Sequence, residues 1–423
     1  MVHVLPFRAL TPQSQYVDEV AAPPYDVMNR AEARDMIAGK NNSILRVTRP
    51  DAILDDQLAS DDDQAYLRAQ SELKRLISSG VLQYEEEIGY FIYTQQMGQH
   101  RQTGIIGLTS AEDYWSDRIK KHEFTLPKKE DDRTRQVLTL GAHLGPVFLT
   151  HEPHPLLKDL IVEYQQHPPQ TIHLADDGIQ HELWIVTKQS DIALIQKYYS
   201  ELDALYIADG HHRAAAAARV SKDLPHSESA KTFLSVSFAA DELLVLPYQR
   251  VVTELTYSVD EFKTKLSNYF DLETHTAPID QDPSLPVQFP QTPKVWGMYL
   301  DGQWYTLKPN QRLTTEIKSK DPLAQLDVSI LQDYVLRPLL HVDDPRTCEH
   351  INFVGGIRGF RALERGVQQS KSKGVAFALY PTSVKELMDI ADRGEVMPPK
   401  STWFEPKLRT GLVISVFDPQ QTT

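Results

Sequence analysis

The chain carries a single cysteine, Cys348, among 423 residues. One thiol can close neither an internal disulfide nor a cysteine-based metal site, so the composition fits a reducing compartment. No apolar run approaches the ~20 residues that a membrane-spanning helix needs. The opening MVHVLPFRALTPQ has no basic region followed by an apolar core, so no secretory leader and a cytoplasmic location are expected. No block of basic residues stands out, and IKKHEFTLPKKEDDR mixes both signs. The balance is acidic, with a net charge of -14. Without a local basic patch such a chain repels a phosphate backbone, so neither nucleic acid nor membrane is an expected partner. Also missing are G-x-S-x-G, H-E-x-x-H and a kinase-type H-R-D set. GGIRGF at 355–360 has three glycines but not the G-x-G-x-x-G spacing of a dinucleotide fold.

What is present is ordinary globular material, 41% hydrophobic and 24% charged. At about 100–200 residues per domain the length implies two or three structural units. QAYLRAQSELKRLISS at 64–79 has apolar residues at helical spacing and stops at Gly80. EIGYFIYTQQ and TGIIGLTS read as paired strands around the polar turn MGQHRQ. TIHLADDGIQHELWIVT reads as a hairpin turning at DDG, and VWGMYLDGQWYTLKP as another with Asp301-Gly302 at its tip. The Pro-rich DPSLPVQFPQTPK at 282–294 reads as a surface loop or boundary. Helical runs (VSILQDYVLRPLL, SVKELMDIADRG) and strands (GVAFALY, TGLVISVF) alternate towards the C-terminus. The whole predicts a mixed α/β (α+β) fold with largely antiparallel sheets.

One stretch concentrates chemistry. IADGHHRAAAAARV at 207–220 reads as the end of a strand, a polar turn and an Ala-rich helix. The first N–H groups of a helix have no intrahelical partners and its dipole favours an anion there. Gly210 lets a ligand approach the backbone. Arg213 offers a planar fork for phosphate oxygens. His211 and His212 can donate hydrogen bonds, and Asp209 can hold Mg²⁺ or take a proton. The plain alternative is a helix start capped by Asp209 with surface histidines. Zinc fits poorly, because a helical zinc pair is spaced i, i+4 rather than adjacent.

Two further segments carry candidates. HEFTLPKKEDDR supplies His122, Glu123, Thr125, Lys128, Lys129, Asp132 and Arg133: Glu123 as base or metal carboxylate, the cations as phosphate neutralisers. A solvated charged loop is the alternative. MPPKSTWFEPKLRTG places Lys400, Ser401, Thr402, Lys407 and Arg409 on a proline-stiffened segment that can complete a site built from residues 120–215. In PPYDVM, Asp26 can bind a metal or a substrate ammonium, but reads first as the cap of the helix NRAEARDMIAG. Arg46 is a weaker candidate anion ligand.

ADGHHR resembles the signature of the free-serine kinases of the ParB/sulfiredoxin-like superfamily, in which a polar loop at a helix N-terminus cradles nucleotide phosphates. The wider chain resembles the prokaryotic family known as domain of unknown function 1015. PPYDVM, HEFTLPKKEDDR, ADGHHRAAAA, LDVSILQDYVLRPLL and YPTSVKELMDIADRGEVMPPKSTWFEPKLRTGLVI carry that resemblance nearly end to end. It implies a ParB/sulfiredoxin-like nucleotide-binding core at 151–255, after an N-terminal α/β part at 1–150. A β-rich insertion at 256–325 follows, then a C-terminal α/β segment at 326–423 whose MPPKSTWFEPK returns to the core. It further implies a small-molecule kinase using ATP or ADP with Mg²⁺, the acceptor being a free amino acid hydroxyl such as that of L-serine. Glu123, Asp209 and His211 would be catalytic, with Asp209 towards Mg²⁺. Gly210, His212, Arg213, His122, Thr125, Lys128, Arg133, Lys400 and Lys407 would bind nucleotide or phosphate. A nucleotide-binding regulatory module without turnover and a phosphohydrolase are the alternatives.

Overall fold

In the computed structural model the described residues are 1–59, 61–275, 290–370 and 372–417. They form two compact units. The first comprises Met1–Leu243 with Pro406–Thr423, and the second Leu244–Glu405. The end of the chain rejoins the first unit, and one continuous insertion separates its two parts in sequence.

The first unit is organised on a nine-stranded sheet. Its strands are β1 (Val4–Leu5), β2 (Tyr90–Met97), β3 (His100–Ser110), β4 (Ile119–Lys120) and β5 (Val147–His151). They continue with β6 (Thr171–Leu174), β7 (Gln180–Val186), β8 (Leu205–Asp209) and β9 (Thr232–Ala239). The spatial order is β4-β8-β5-β9-β3-β2-β7-β6, with β1 on β3. Only β8–β4 and β9–β5 pair in parallel. The expected hairpins form: β2 and β3 run antiparallel, as do β6 and β7. The turn between β2 and β3 is tighter than MGQHRQ suggested, because His100, Arg101 and Gln102 pair into the ladder and Gly98 supplies the positive φ of 58°.

Helices α1 (Asp63–Ser78) and α2 (Pro127–Leu140) belong to this unit, as do α3 (Pro155–Gln165), α4 (Gln189–Glu201) and α5 (His211–Asp223). Leu157, Ile161, Ile195, Tyr199, Ala214 and Ala218 from α3, α4 and α5 share one core with Ile92, Leu149 and Ile207 of the sheet. Five consecutive alanines, Ala214–Ala218, are buried in α5. Their small side chains let α5 pack closely on α2. A second core gathers Ala33, Ile37, Ile44, Leu73 and Leu76 around the N-terminal helices and reaches Ile414 of the returning tail. The helix Arg30–Ile37 is capped by Asn29, whose side chain and Glu32 form a reciprocal capping box. Asp26 is therefore not its cap, contrary to the expectation above. Arg46 is held by Glu72 at 3.2 Å.

The second unit holds a six-stranded sheet, antiparallel throughout. Its strands are β10 (Tyr248–Val252), β11 (Phe270–Thr274), β12 (Trp296–Leu300), β13 (Gln303–Pro309), β14 (Ile351–Gly355) and β15 (Val375–Ala378), in the order β11-β13-β12-β15-β10-β14. Asp301 and Gly302, both at positive φ, make the expected hairpin tip. VSILQDYVLRPLL is not one regular helix. A wider π turn, Gln332–Leu336, precedes Arg337–Leu340, since Pro338 has no N–H and its ring crowds the preceding turn. Of the Pro-rich 282–294 stretch, 282–289 lies outside the described residues. The fold class is α/β with mixed and antiparallel sheets.

Candidate functional site

Strand β8 ends in Asp209. Its pairing with β5 shifts register between Ile207 and Asp209, a bulge that redirects the last residue of the strand. Gly210 follows at φ 92° and serves as N-cap of α5. Only glycine adopts that conformation without strain, and a Cβ there would lie 3.0 Å from the Arg213 guanidinium. The cap is thus Gly210 and not Asp209. Asp209 instead accepts the Gly210 N–H through Oδ1 at 2.9 Å. Nor are the histidines surface donors: His211 is buried and His212 half-buried.

Because β4 runs parallel to β8, the chain leaving Lys120 emerges at the same sheet edge as Asp209. This brings His122 and Glu123 to the start of α5. The His122 and His211 rings meet edge-on at 4.5 Å. Glu123 Oε2 lies 3.8 Å from His211 Nδ1, and Nε2 of His211 is buried without a hydrogen-bond partner. His212 Nε2 accepts the Leu126 N–H at 3.0 Å, tying residues 122–126 onto α5.

A third segment arrives from the end of the chain. Lys407 Nζ lies 3.4 Å from Asp209 Oδ2. Its backbone carbonyl accepts from Gln95 Nε2 at 3.0 Å, while the Arg409 N–H donates to Tyr93 Oη at 3.3 Å. The Arg409 guanidinium is buried and bonds to Asp177. Gln95 and Tyr93 escape sequence reading because they stand inside an apolar strand, where only the register of β2 reveals them.

Electrostatics follow from this crowding. Burial alone would push the Asp209 carboxyl up, but Lys407, Arg213 and the Gly210 N–H outweigh it and hold the group well below the usual carboxylate range. Burial pushes the His211 imidazole well below its ordinary value; the neighbouring His122 adds to this and Asp209 opposes it. His122 is pushed down to about 4 by burial, against a hydrogen bond to the Ile207 backbone. The site therefore combines an ionised carboxylate with two neutral imidazoles at neutral pH.

Arg213 leans over Gly210 and bonds to the Pro146 carbonyl, while its Nε is buried without a partner. It borders a cavity of about 60 Å³ that Arg133, Tyr25, Gly145 and Thr410 also line. Arg133 bonds to Asp132 at 2.9 Å and lies 4.0 Å over the Tyr25 ring. Other expected residues are spent elsewhere. Thr125 donates to Glu130 at 2.8 Å. Lys128 is almost fully exposed and pairs with Asp61 at 3.4 Å. Lys400 belongs to the second unit, where its ammonium sits 5.1 Å over the Tyr248 ring and its carbonyl accepts from Arg250. Among the described residues no group of three or more His, Cys, Asp or Glu side chains is placed to hold a metal ion. No described helix is long and apolar enough to cross a membrane.

Comparison with solved structures finds distant likenesses. SbnI with a C-terminal truncation, from Staphylococcus aureus, is 13% identical with a TM-score of 0.36, over 71% of this chain and 82% of that one. A free serine kinase mutant in complex with ADP is 15% identical with a TM-score of 0.34, over 73% and 91%. A conserved hypothetical protein from Pyrococcus furiosus is 14% identical with a TM-score of 0.33, over 72% and 93%. Likenesses at this level transfer neither substrate nor site. No curated protein matches the chain. The model of a protein family described as "Protein of unknown function (DUF1015)" matches residues 4–329, well over half of the sequence, and the chain belongs to that family.

Proposed function

We propose that the protein is a small-molecule phosphotransferase whose nucleotide phosphates lie on the turn Asp209–Arg213. The observation that supports this is convergence: residues 122–123, 209–213 and 407, far apart in sequence, meet at one helix start. The helix N-terminus attracts the anion, and Arg213 and Lys407 neutralise its charge. Phosphoryl transfer depends mainly on positioning and charge neutralisation, which is what these groups offer. The donor is ATP or ADP. The acceptor is the hydroxyl of a free amino acid, L-serine giving O-phosphoserine.

Within this reading Glu123, half exposed beside the neutral His211, orients and deprotonates the acceptor hydroxyl. His211 lies beside Glu123, and its Nε2, which has no hydrogen-bond partner in the protein, is kept for a substrate group. Asp209 fixes Lys407. Magnesium carried by a nucleotide needs only one or two carboxylates besides the phosphate oxygens, and Asp209 and Glu123 would be the residues to hold it. Bound there, it would offset phosphate charge.

Purified protein incubated with ATP or ADP, Mg²⁺ and L-serine should yield O-phosphoserine. Nucleotide loss without serine would instead mark a phosphohydrolase, and binding without loss a regulatory module. Arg213→Ala should raise the nucleotide KM strongly; unchanged kinetics would remove Arg213 from the site.

A further inference from the structure

A larger cavity, of about 280 Å³, opens beside β5 and β9 in the first unit. Strand β5 is antiparallel to β8, so its last residue, His151, lies at the sheet end where β8 begins, away from Asp209. The cavity volume approaches the 300 Å³ at which small-ligand sites begin, roughly that of a single-ring molecule. Its walls are apolar at Ile105, Leu157 and Ile161, and its polar groups include His151, Asp241 and Glu242.

Two of those polar groups, Asp241 and Glu242, are carboxylates. Glu242 uses Oε2 to accept the Thr103 N–H at 2.7 Å. Burial raises its carboxyl and the adjacent Asp241 adds to that, while Lys158 and His100 oppose. Among the described residues, neither Asp241 nor Glu242 has an ion-pair partner. His151 is 2% exposed. Its Nδ1 lies 2.9 Å from the Glu152 carbonyl and 2.6 Å from Tyr198 Oη. A proton on Nδ1, donated to that carbonyl, leaves Nε2 as a lone-pair acceptor, and Nε2 makes no hydrogen bond. His154, at the start of α3, also has a buried Nδ1 without a partner. Lys158 and Asp159 stand exposed at the rim, and the Lys158 charge acts on Glu242. A cavity with two carboxylates that lack ion-pair partners, an imidazole lone pair and an aliphatic wall has the complement of a protonated amine with an apolar body.

We propose that this cavity binds a small organic ammonium, its head between Glu242, Asp241 and His151 Nε2 and its body on Ile105, Leu157 and Ile161. The site is separate from the phosphotransfer reading and stands or falls without it.

The test titrates the full chain with benzylamine, and with benzyl alcohol and benzoate as neutral and anionic counterparts, by ligand-observed NMR at constant ionic strength. Saturable benzylamine binding at least tenfold tighter than benzyl alcohol, weakened tenfold or more by Glu242→Gln, is expected. Equal affinity for amine and alcohol, no saturable binding of benzylamine, or binding unaffected by Glu242→Gln would overturn the proposal. Circular dichroism checks that the variant folds. If it does not, Asp241→Asn at the exposed lip is read by the same criteria, with a threefold weakening expected and no change counting against the site.

Discussion

Lys407 Nζ and Asp209 Oδ2 stand 3.4 Å apart across 198 positions of sequence. The pair joins the end of the chain to the strand that opens the candidate site. Lys407→Met leaves the half-buried Asp209 carboxylate with the Gly210 N–H and the Arg213 charge only, at a cost of about 1–3 kcal/mol. If the phosphotransfer reading holds, loss of one charge-stabilising donor should lower kcat by about 10²-fold. Denaturant unfolding and steady-state kinetics on the same preparation measure both.

The depressed Asp209 carboxyl has a defined pH signature. Its folded-state value lies below the ordinary carboxylate value, so its stabilisation is fully present above about pH 4 and is lost as pH falls further. The stability difference between the wild type and Asp209→Asn should be constant from pH 5 to 8 and shrink below pH 4. Urea unfolding across that range tests it.

Buried imidazoles act in a neighbouring window. His122, His143 and His151 are each pushed down to about 4 by burial, whereas an unfolded histidine titrates near 6.5. Between those values the unfolded chain binds more protons, so stability rises with pH from about 4 to 6.5 and levels off above. His143→Gln should flatten that slope, by on the order of 1–3 kcal/mol across the window. An unchanged slope would show that His143 is protonated in the fold.

Gly210→Ala forces a left-handed residue to carry a Cβ and pushes it against Arg213. The conformational strain is about 1–2 kcal/mol. The Arg213 guanidinium must move, so on the phosphotransfer reading nucleotide affinity should fall about tenfold while the circular dichroism spectrum is kept. Isothermal titration with ADP reads the first and thermal melting the strain.

If the phosphotransfer reading holds, Arg409 acts as a positioning residue. Arg409→Leu removes the bond to Asp177 and loosens the strand-side anchor of Lys407, at about 2 kcal/mol. Its kcat should fall with nucleotide KM nearly unchanged, and Arg409→Lys should restore part of it. A fall in stability with kcat intact would show that the anchor is structural only.

Sequence by itself determined the local grammar. Short apolar runs bounded by turn residues set β2, β3 and β7, Asp301-Gly302 set the tip of the β12–β13 hairpin, and the strand–Gly210–alanine succession placed a helix start at His211, because these depend on neighbours within a few residues. It also singled out Glu123, His211 and Lys407 by residue type. It could not say that Asn29, not Asp26, caps its helix, that Lys128 points to Asp61, or that Lys400 falls in a different unit from Lys407 seven residues later. Those outcomes rest on pairing between distant segments: the parallel β4–β8 register delivers residues 122–123, and the return of the chain after Glu405 delivers Lys407. Local propensity carries no record of which strands will be neighbours. Only the packed structure decides which charges meet, and so which carboxylate is ionised and which imidazoles stay neutral.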